Sequence, residues 1–214
     1  MATTYSLGSR ASQRRQATID EIVKHAVEIM TVDGVGALSI SEIARRMHVR
    51  PPSLYKYFPS LHSVYDELFA RGARDLLATA QPALDTSSSA VEGLRALAVV
   101  IVRWCVENPA VAHLMYMRPV PGFEPSPEAF APNVEAMRLL RNEIARYVRF
   151  GHLKSGTDVD EVTTLFTVVI SGLISQQLAN EPAVSFGIGR FSSLTERAVD
   201  VFLSSYLPTP TETQ

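Results

Sequence analysis

Apolar positions along this chain recur every three or four residues, and no stretch alternates with the two-residue period of a half-buried strand. Ile19, Ile22, Val23, Ala26, Val27 and Met30 share one face of a first helix, which should end at the turn residues Asp33, Gly34 and Gly36. Ser39 and Glu42 then have the spacing of a capping box. The Ser39 oxygen can accept from the Glu42 amide while the Glu42 carboxylate reaches back. The helix opened there directs Ile40, Ile43, Ala44 and Met47 inward and Arg45 and Arg46 outward. Pro51 and Pro52 break it, because proline lacks an amide hydrogen and pushes the preceding residue out of helical angles. A third, short helix is predicted over 52–58, and Ser60 caps a fourth with Leu61, Val64, Tyr65, Leu68 and Gly72 along one side.

Pro82 and a serine run mark a break over 79–90. Further helices are predicted over 90–106, 109–117, 133–150, 158–179 and 186–206. Pro119, Pro121, Pro125, Pro127 and Pro132 predict a loop over 118–132, either a gate or a plain connector. The fold class is all-α: an N-terminal three-helix helix-turn-helix and a C-terminal helical body. The expected division is a flexible basic arm over 1–15, the helix-turn-helix over 16–62, and the body over 63–214.

With 214 residues, 46% of them hydrophobic, the chain can bury a sizeable core. Its apolar stretches near 97–106 and 165–174 read as too short or too interrupted to span a bilayer, and 1–15 has no apolar signal region. A cytoplasmic protein with no membrane association is expected. The single cysteine, Cys105, excludes an internal disulfide or a multi-cysteine metal site. Charge is uneven: residues 1–58 carry a net +3 and the remainder −5, the distribution of a chain that docks a polyanion at one end.

The candidate chemistry sits in that basic end. Leu54 and Phe58, at i and i+4, should anchor the third helix, leaving Ser53, Tyr55, Lys56 and Tyr57 outside and Arg50, Pro51 and Pro52 at its entrance. Exposed tyrosines beside a lysine suit a surface that meets phosphates and base edges. The stretch 36–58, with Ser39, then Ile43 and Ala44, then Leu54, Tyr55, Lys56, Tyr57 and Phe58, resembles the DNA-binding signature of the TetR family of transcriptional regulators. In that family a Ser or Thr caps the second helix, Ile-Ala packs it, and a Leu-Tyr-x-His/Tyr-Phe run forms the recognition helix. The chain departs from the pattern at His48, where glycine is usual, and at Leu61, where lysine is common. His48 must then adopt the turn's left-handed backbone, which histidine tolerates better than most residues.

The resemblance implies that Ser39, Tyr55 and Tyr57 donate to phosphates. Arg50 and Lys56 are candidates for base edges, with Pro51 and Pro52 offering apolar surface and Ser53 beside them. Arg10, Arg14 and Arg15 would follow the backbone or the minor groove. The expected partner is double-stranded operator DNA with two inverted half-sites, read by a homodimer. Helix 158–179 is apolar nearly all round, through Leu165, Val168, Val169, Gly172 and Leu173 among others. The last helix adds Phe191, Leu194, Val201 and Phe202. Val169, Gly172, Leu173, Phe191, Leu194 and Phe202 are the expected dimer contacts. A pocket for a small apolar or aromatic effector is expected around Trp104, Cys105, His113, Tyr116, Met137 and Phe166, with Met115 and Phe150 in the same group.

No metal-binding histidine pair, glycine-rich phosphate loop or nucleophile elbow appears, and Asp158, Asp160 and Glu161 open a helix, where carboxylates favour the dipole. No cofactor, metal or catalytic residue is expected. A ligand-released repressor is the leading reading, with an activator of the same family and a small helical enzyme as the alternatives.

Overall fold

The computed structural model describes residues 4–85 and 89–208, and no strand occurs among them. Eight α-helices make up these residues: α1 (Thr4–Asp33), α2 (Ile40–Arg46), α3 (Leu61–Asp85), α4 (Ala90–Glu107), α5 (Pro109–Met117), α6 (Pro127–Arg149), α7 (Val159–Asn180) and α8 (Thr195–Leu203). The expected all-α architecture, a helix-turn-helix followed by a helical body, is the one observed.

Several boundaries moved, each for a local reason. The segment 1–15, expected as a flexible arm, is helical from Thr4 onward. It lacks proline, and Arg10, Ala11, Gln13, Arg14 and Arg15 are good helix formers. The third helix is not a regular α-helix. Pro51 and Pro52 supply no amide hydrogens, so Ser53 and Leu54 bond back to Arg50 and Pro51 in a 3-10 turn (Pro51–Ser53), and only Phe58 N to Leu54 O closes an α-type turn. α6 begins six residues before the expected start. Ser126 caps it, Pro127 takes the first helical position where no donor is needed, and Pro132 is carried inside. α3 likewise runs on through Pro82. The last helix is much shorter than expected. Gly187, at φ 81°, and Gly189, against the Gln177 and Glu181 side chains, hold 181–191 in an irregular path.

Two cores result. The first joins α1, α2 and the start of α3 around Ile22, Ile29, Ile43, Leu54, Tyr65 and Leu68, and takes in Ala110, Leu114 and Ala129 from α5 and α6. The second lies among α4, α6, α7, α8 and the end of α3, around Leu94, Ile144, Tyr147, Phe166 and Ile174. α3 threads both, with Val64 to Ala73 in the first and Leu76 and Ala80 in the second. The expected boundary at 62/63 therefore falls inside one rigid element. α4 and α5 meet at Asn108 with a bend of 111°.

α7 also differs from the reading of its apolar run. The helix is 22 residues long and, by length and composition alone, apolar enough to cross a membrane, because Thr, Ser and Gln extend the run without charges. One side of it, through Val162, Phe166, Ile170 and Ile174, belongs to the second core.

Candidate nucleic-acid interface and the cavity behind it

The turn between α2 and the 3-10 segment is set by its hydrogen bonds. His48 N bonds to Arg45 O at 3.2 Å and Val49 N to Ala44 O at 3.0 Å, the paired bonds of a Schellman cap, and His48 sits at φ 56° as that cap demands. The other end of α2 is only half the expected box. Ser39 Oγ accepts from Glu42 N at 3.1 Å, but the Glu42 carboxylate accepts from Arg45 Nε at 2.7 Å and Arg46 Nε at 2.9 Å instead of reaching back. These bonds, Arg45 first, hold the Glu42 carboxyl at about 2. Arg46, expected to point outward, is half-buried and also meets Asp33 at 3.3 Å. The Ser39 hydroxyl uses a lone pair in the cap, so its proton remains available to a phosphate.

Leu54 and Phe58 are buried and fix the segment that follows to the first core. Arg50, Pro52, Ser53, Tyr55 and Lys56 are exposed, Pro51 and Tyr57 half-buried, and Tyr55 keeps 52% of its surface in solvent. Arg50 and Lys56 form no ion pair among the described residues. Arg15 joins this surface from α1. Its Nη1 donates to Lys56 O at 3.1 Å and its guanidinium lies 5.1 Å from the Tyr57 ring centre. Lys56 Nζ lies 4.9 Å from that ring, and Thr18, with Lys56 and Arg15 adding to it, holds the Tyr57 phenol below its ordinary value. Arg10 and Arg14 are exposed on the same helix. Arg15, Lys56 and Tyr57 thus lie together beside Tyr55, and Tyr65, whose hydroxyl donates to Val35 O at 2.7 Å, ties α3 to the turn ahead of α2.

Behind this surface a cavity of about 290 Å³ opens between α3, α4, α5, α6 and α7. Tyr116, Met137, Phe166 and Met115 line it; Trp104, Cys105, His113 and Phe150, expected there, do not. Trp104 is buried against α3, its Nε1 donating to Asp75 at 2.7 Å, and Cys105 lies within the second core. His113 and Phe150 face solvent, since helical period alone does not say which side of α5 or which end of α6 turns inward. Phe130, Ile170, Leu97 and Leu76 complete much of the wall. Phe130 fell within the stretch expected to be loop, and its place on a helix face could have been found only by weighing Ser126 as a cap above the prolines.

The loop between α5 and α6 is tied down on α3. Phe123 packs against the rings of Tyr65 and His62, and Ser126 donates to the Asp66 carboxylate through N at 2.7 Å and Oγ at 2.8 Å. On the far side of the body, Gly172 and Leu194 are exposed, whereas Val169, Leu173, Phe191 and Phe202 are half-buried. Leu173 and Phe202 pack against the second core. Within α7 and α8 themselves, the most exposed large apolar side chains are Val168 at 60% and Val201 at 58%.

A family model described as bacterial regulatory proteins, tetR family, matches residues 17–68, and one described as tetracyclin repressor-like, C-terminal domain, matches residues 94–202. The uncharacterized HTH-type transcriptional regulator YobS of Bacillus subtilis (strain 168) is 33% identical over 98 residues, 46% of this chain and 51% of its own. HTH-type transcriptional regulator Rv1816 of Mycobacterium tuberculosis (strain ATCC 25618 / H37Rv) is 29% identical over 133 residues, 61% of this chain and 56% of its own. The chain spans about half the length of these curated relatives. Among solved structures, the transcriptional regulator FadR from Bacillus subtilis in complex with stearoyl-CoA superposes with a TM-score of 0.72 at 16% identity, covering 86% of this chain and 97% of the other. At that identity the likeness is one of fold.

Proposed function

This chain belongs to the tetR family of bacterial regulatory proteins, and on that premise we propose that it is a cytoplasmic, homodimeric repressor that leaves its operator when a small molecule enters the cavity. The observation that carries the reading is the surface formed by Arg50, Ser53, Tyr55 and Lys56. It is exposed, basic, rich in donors, and locked to the core through Leu54 and Phe58. Rigid presentation is what major-groove entry needs, since base contacts discriminate only from a fixed register.

A lone copy of so short a segment reads few base pairs, and a two-fold dimer doubles the site. The outward faces of α7 and α8, with Val168, Gly172, Leu194 and Val201, supply the surface for a second copy. That is also the occupant proposed for the lipid-compatible side of α7. The structural neighbour bound to stearoyl-CoA supports an effector site in this fold. Coupling would run through elements that touch both regions. α5 places Ala110 and Leu114 in the first core and Met115 and Tyr116 on the cavity, and Phe130 of α6 lines the cavity while stacking on Phe69 at 6.1 Å. An effector that binds one dimer geometry more tightly than another shifts the population away from DNA-competent spacing. The extent of the family match supports a regulator over an enzyme.

The test is fluorescence anisotropy on duplexes selected from a random pool, over a salt series. Tyr55→Ala with Lys56→Ala should abolish the preference for the selected sequence, and affinity of the parent protein should fall steeply with salt. Selection that yields no enriched, dyad-symmetric sequence would sink the reading.

A further inference from the structure

We infer that the cavity takes an uncharged effector: a compact, mainly apolar molecule that carries a neutral polar group rather than a carboxylate or phosphate. The inference rests on the effector-site reading above and adds the chemistry of the ligand.

Among the described residues, the polar side chains on the cavity wall are Gln81, Tyr116, Asn133, Thr167 and Ser171, and no Lys, Arg, His, Asp or Glu is among the lining residues. Several charges carried on the surrounding helices are engaged elsewhere. Asp75 accepts from Trp104 Nε1 at 2.7 Å, Arg138 Nη2 donates to Glu135 at 2.5 Å, and Arg141 Nε donates to Asp160 at 2.6 Å. The lining group that can ionise, the Tyr116 phenol, is pushed well above its ordinary value by burial, with Cys105 adding to it, and burial likewise lifts the Cys105 thiol to about 12. Both remain neutral at physiological pH.

A carboxylate or phosphate entering such a site loses its hydration and finds no cation in return. Neutral ligands escape that loss. The wall can meet a neutral polar group of either kind: Thr167 Oγ1 already donates to Thr164 O at 2.7 Å and offers lone pairs, while the amides of Gln81 and Asn133 offer donors as well as acceptors. Size agrees with a compact guest, since about 290 Å³ is at the small end of the range for small-molecule sites. Phe130 and Met137 leave the mouth partly open, so a longer molecule can project from it.

The experiment uses the full chain and N-phenyl-1-naphthylamine, an uncharged fluorophore, as the bound reporter. Only the signal abolished by Ala136→Phe, which fills the cavity, is counted, so that probe on the exposed α7–α8 face does not contribute. Competition by 1-octanol, and by the equally neutral 1-methoxyheptane, should occur at a concentration about 100-fold below that of octanoate. Met137→Lys, at a half-open position where a lysine can be solvated, should bring octanoate close to 1-octanol. Octanoate matching 1-octanol on the parent protein would overturn the inference, and so would a probe signal indifferent to both variants. Operator binding is measured beside this by anisotropy. Its absence would count against the regulator reading alone, because the displacement titrations contain no DNA.

Discussion

His48 and Glu42 show how single side chains set the DNA-facing corner. A non-glycine residue in the left-handed region costs about 1–2 kcal/mol, which a flexible glycine would avoid at some entropic cost in the unfolded chain. His48→Gly should therefore raise stability by about 0.5–1 kcal/mol in urea unfolding, with DNA affinity unchanged. His48→Val, which is β-branched at φ 56°, should lower it. Glu42 is held at about 2, below its usual 4.5, by Arg45 and Arg46. A depressed carboxyl contributes stability that is complete above the unfolded value and is lost as pH falls toward the folded one. The thermal stability of the parent protein should thus fall between about pH 4.5 and 2 through this group, and Glu42→Gln should lower the midpoint at pH 7 and remove that portion of the acid dependence. On the recognition surface, Arg50→Ala should cost about 1–3 kcal/mol of binding and relax preference at one base position. An alanine at a phosphate-contacting residue would instead lower the salt slope by about 1 across all sequences. Anisotropy on matched and singly mismatched duplexes separates the two outcomes.

At the scale of elements, α3 meets α5 closely at Gly72. A Cβ added at Gly72 would sit 2.5 Å from Val111 Cγ1 and 2.9 Å from Met115 Sδ, so the helices meet there only because position 72 has no side chain. Gly72→Ala should destabilise by about 1–3 kcal/mol through overpacking, less the roughly 1 kcal/mol that alanine gains in helix propensity. Val111→Ala in the same chain should recover much of the loss, a coupling that a double-mutant cycle measures. The junction of α3 with α6 depends on Ser126, which caps α6 by accepting from Ala129 N at 3.1 Å and also donates twice to Asp66. Ser126→Ala ends the cap and the hydroxyl's bond to Asp66, and leaves the bond from Ser126 N in place. A loss of about 1–2 kcal/mol, with faster amide exchange in the first turn of α6, is expected.

For the whole molecule, the decisive surface is the outer side of α7 and α8. Gly172 has nothing within 4 Å of an added Cβ, so Gly172→Glu should leave the folded protomer intact. Placed between two copies it would bury a charge without a partner. Sedimentation should therefore show a monomer of unaltered thermal stability that has lost operator binding. A variant that remains dimeric would remove α7 from the interface. Two cores threaded by α3 also make the molecule one mechanical unit, in which the base of the DNA-facing surface and the cavity wall share helices rather than a linker.

Much of this was legible in the residues themselves. Period fixed the helices whose buried faces are continuous, such as the second half of α1 and α2. Local chemistry fixed the DNA-facing corner, because Ser39, His48, Pro51 and Pro52 act through their own backbone and their neighbours within a few positions. Helix ends bearing proline or glycine were misplaced, since a proline costs little when its missing donor falls in a first turn, and only the completed cap reveals which turn that is. The cavity was the least legible. Tyr116, Met137 and Phe166 meet there while Trp104 and Cys105 turn into packing, and sequence composition is the same for both. Which apolar side chain lines a void and which fills one is decided by helices distant in sequence crossing at particular angles, and that information exists only once the chain has folded.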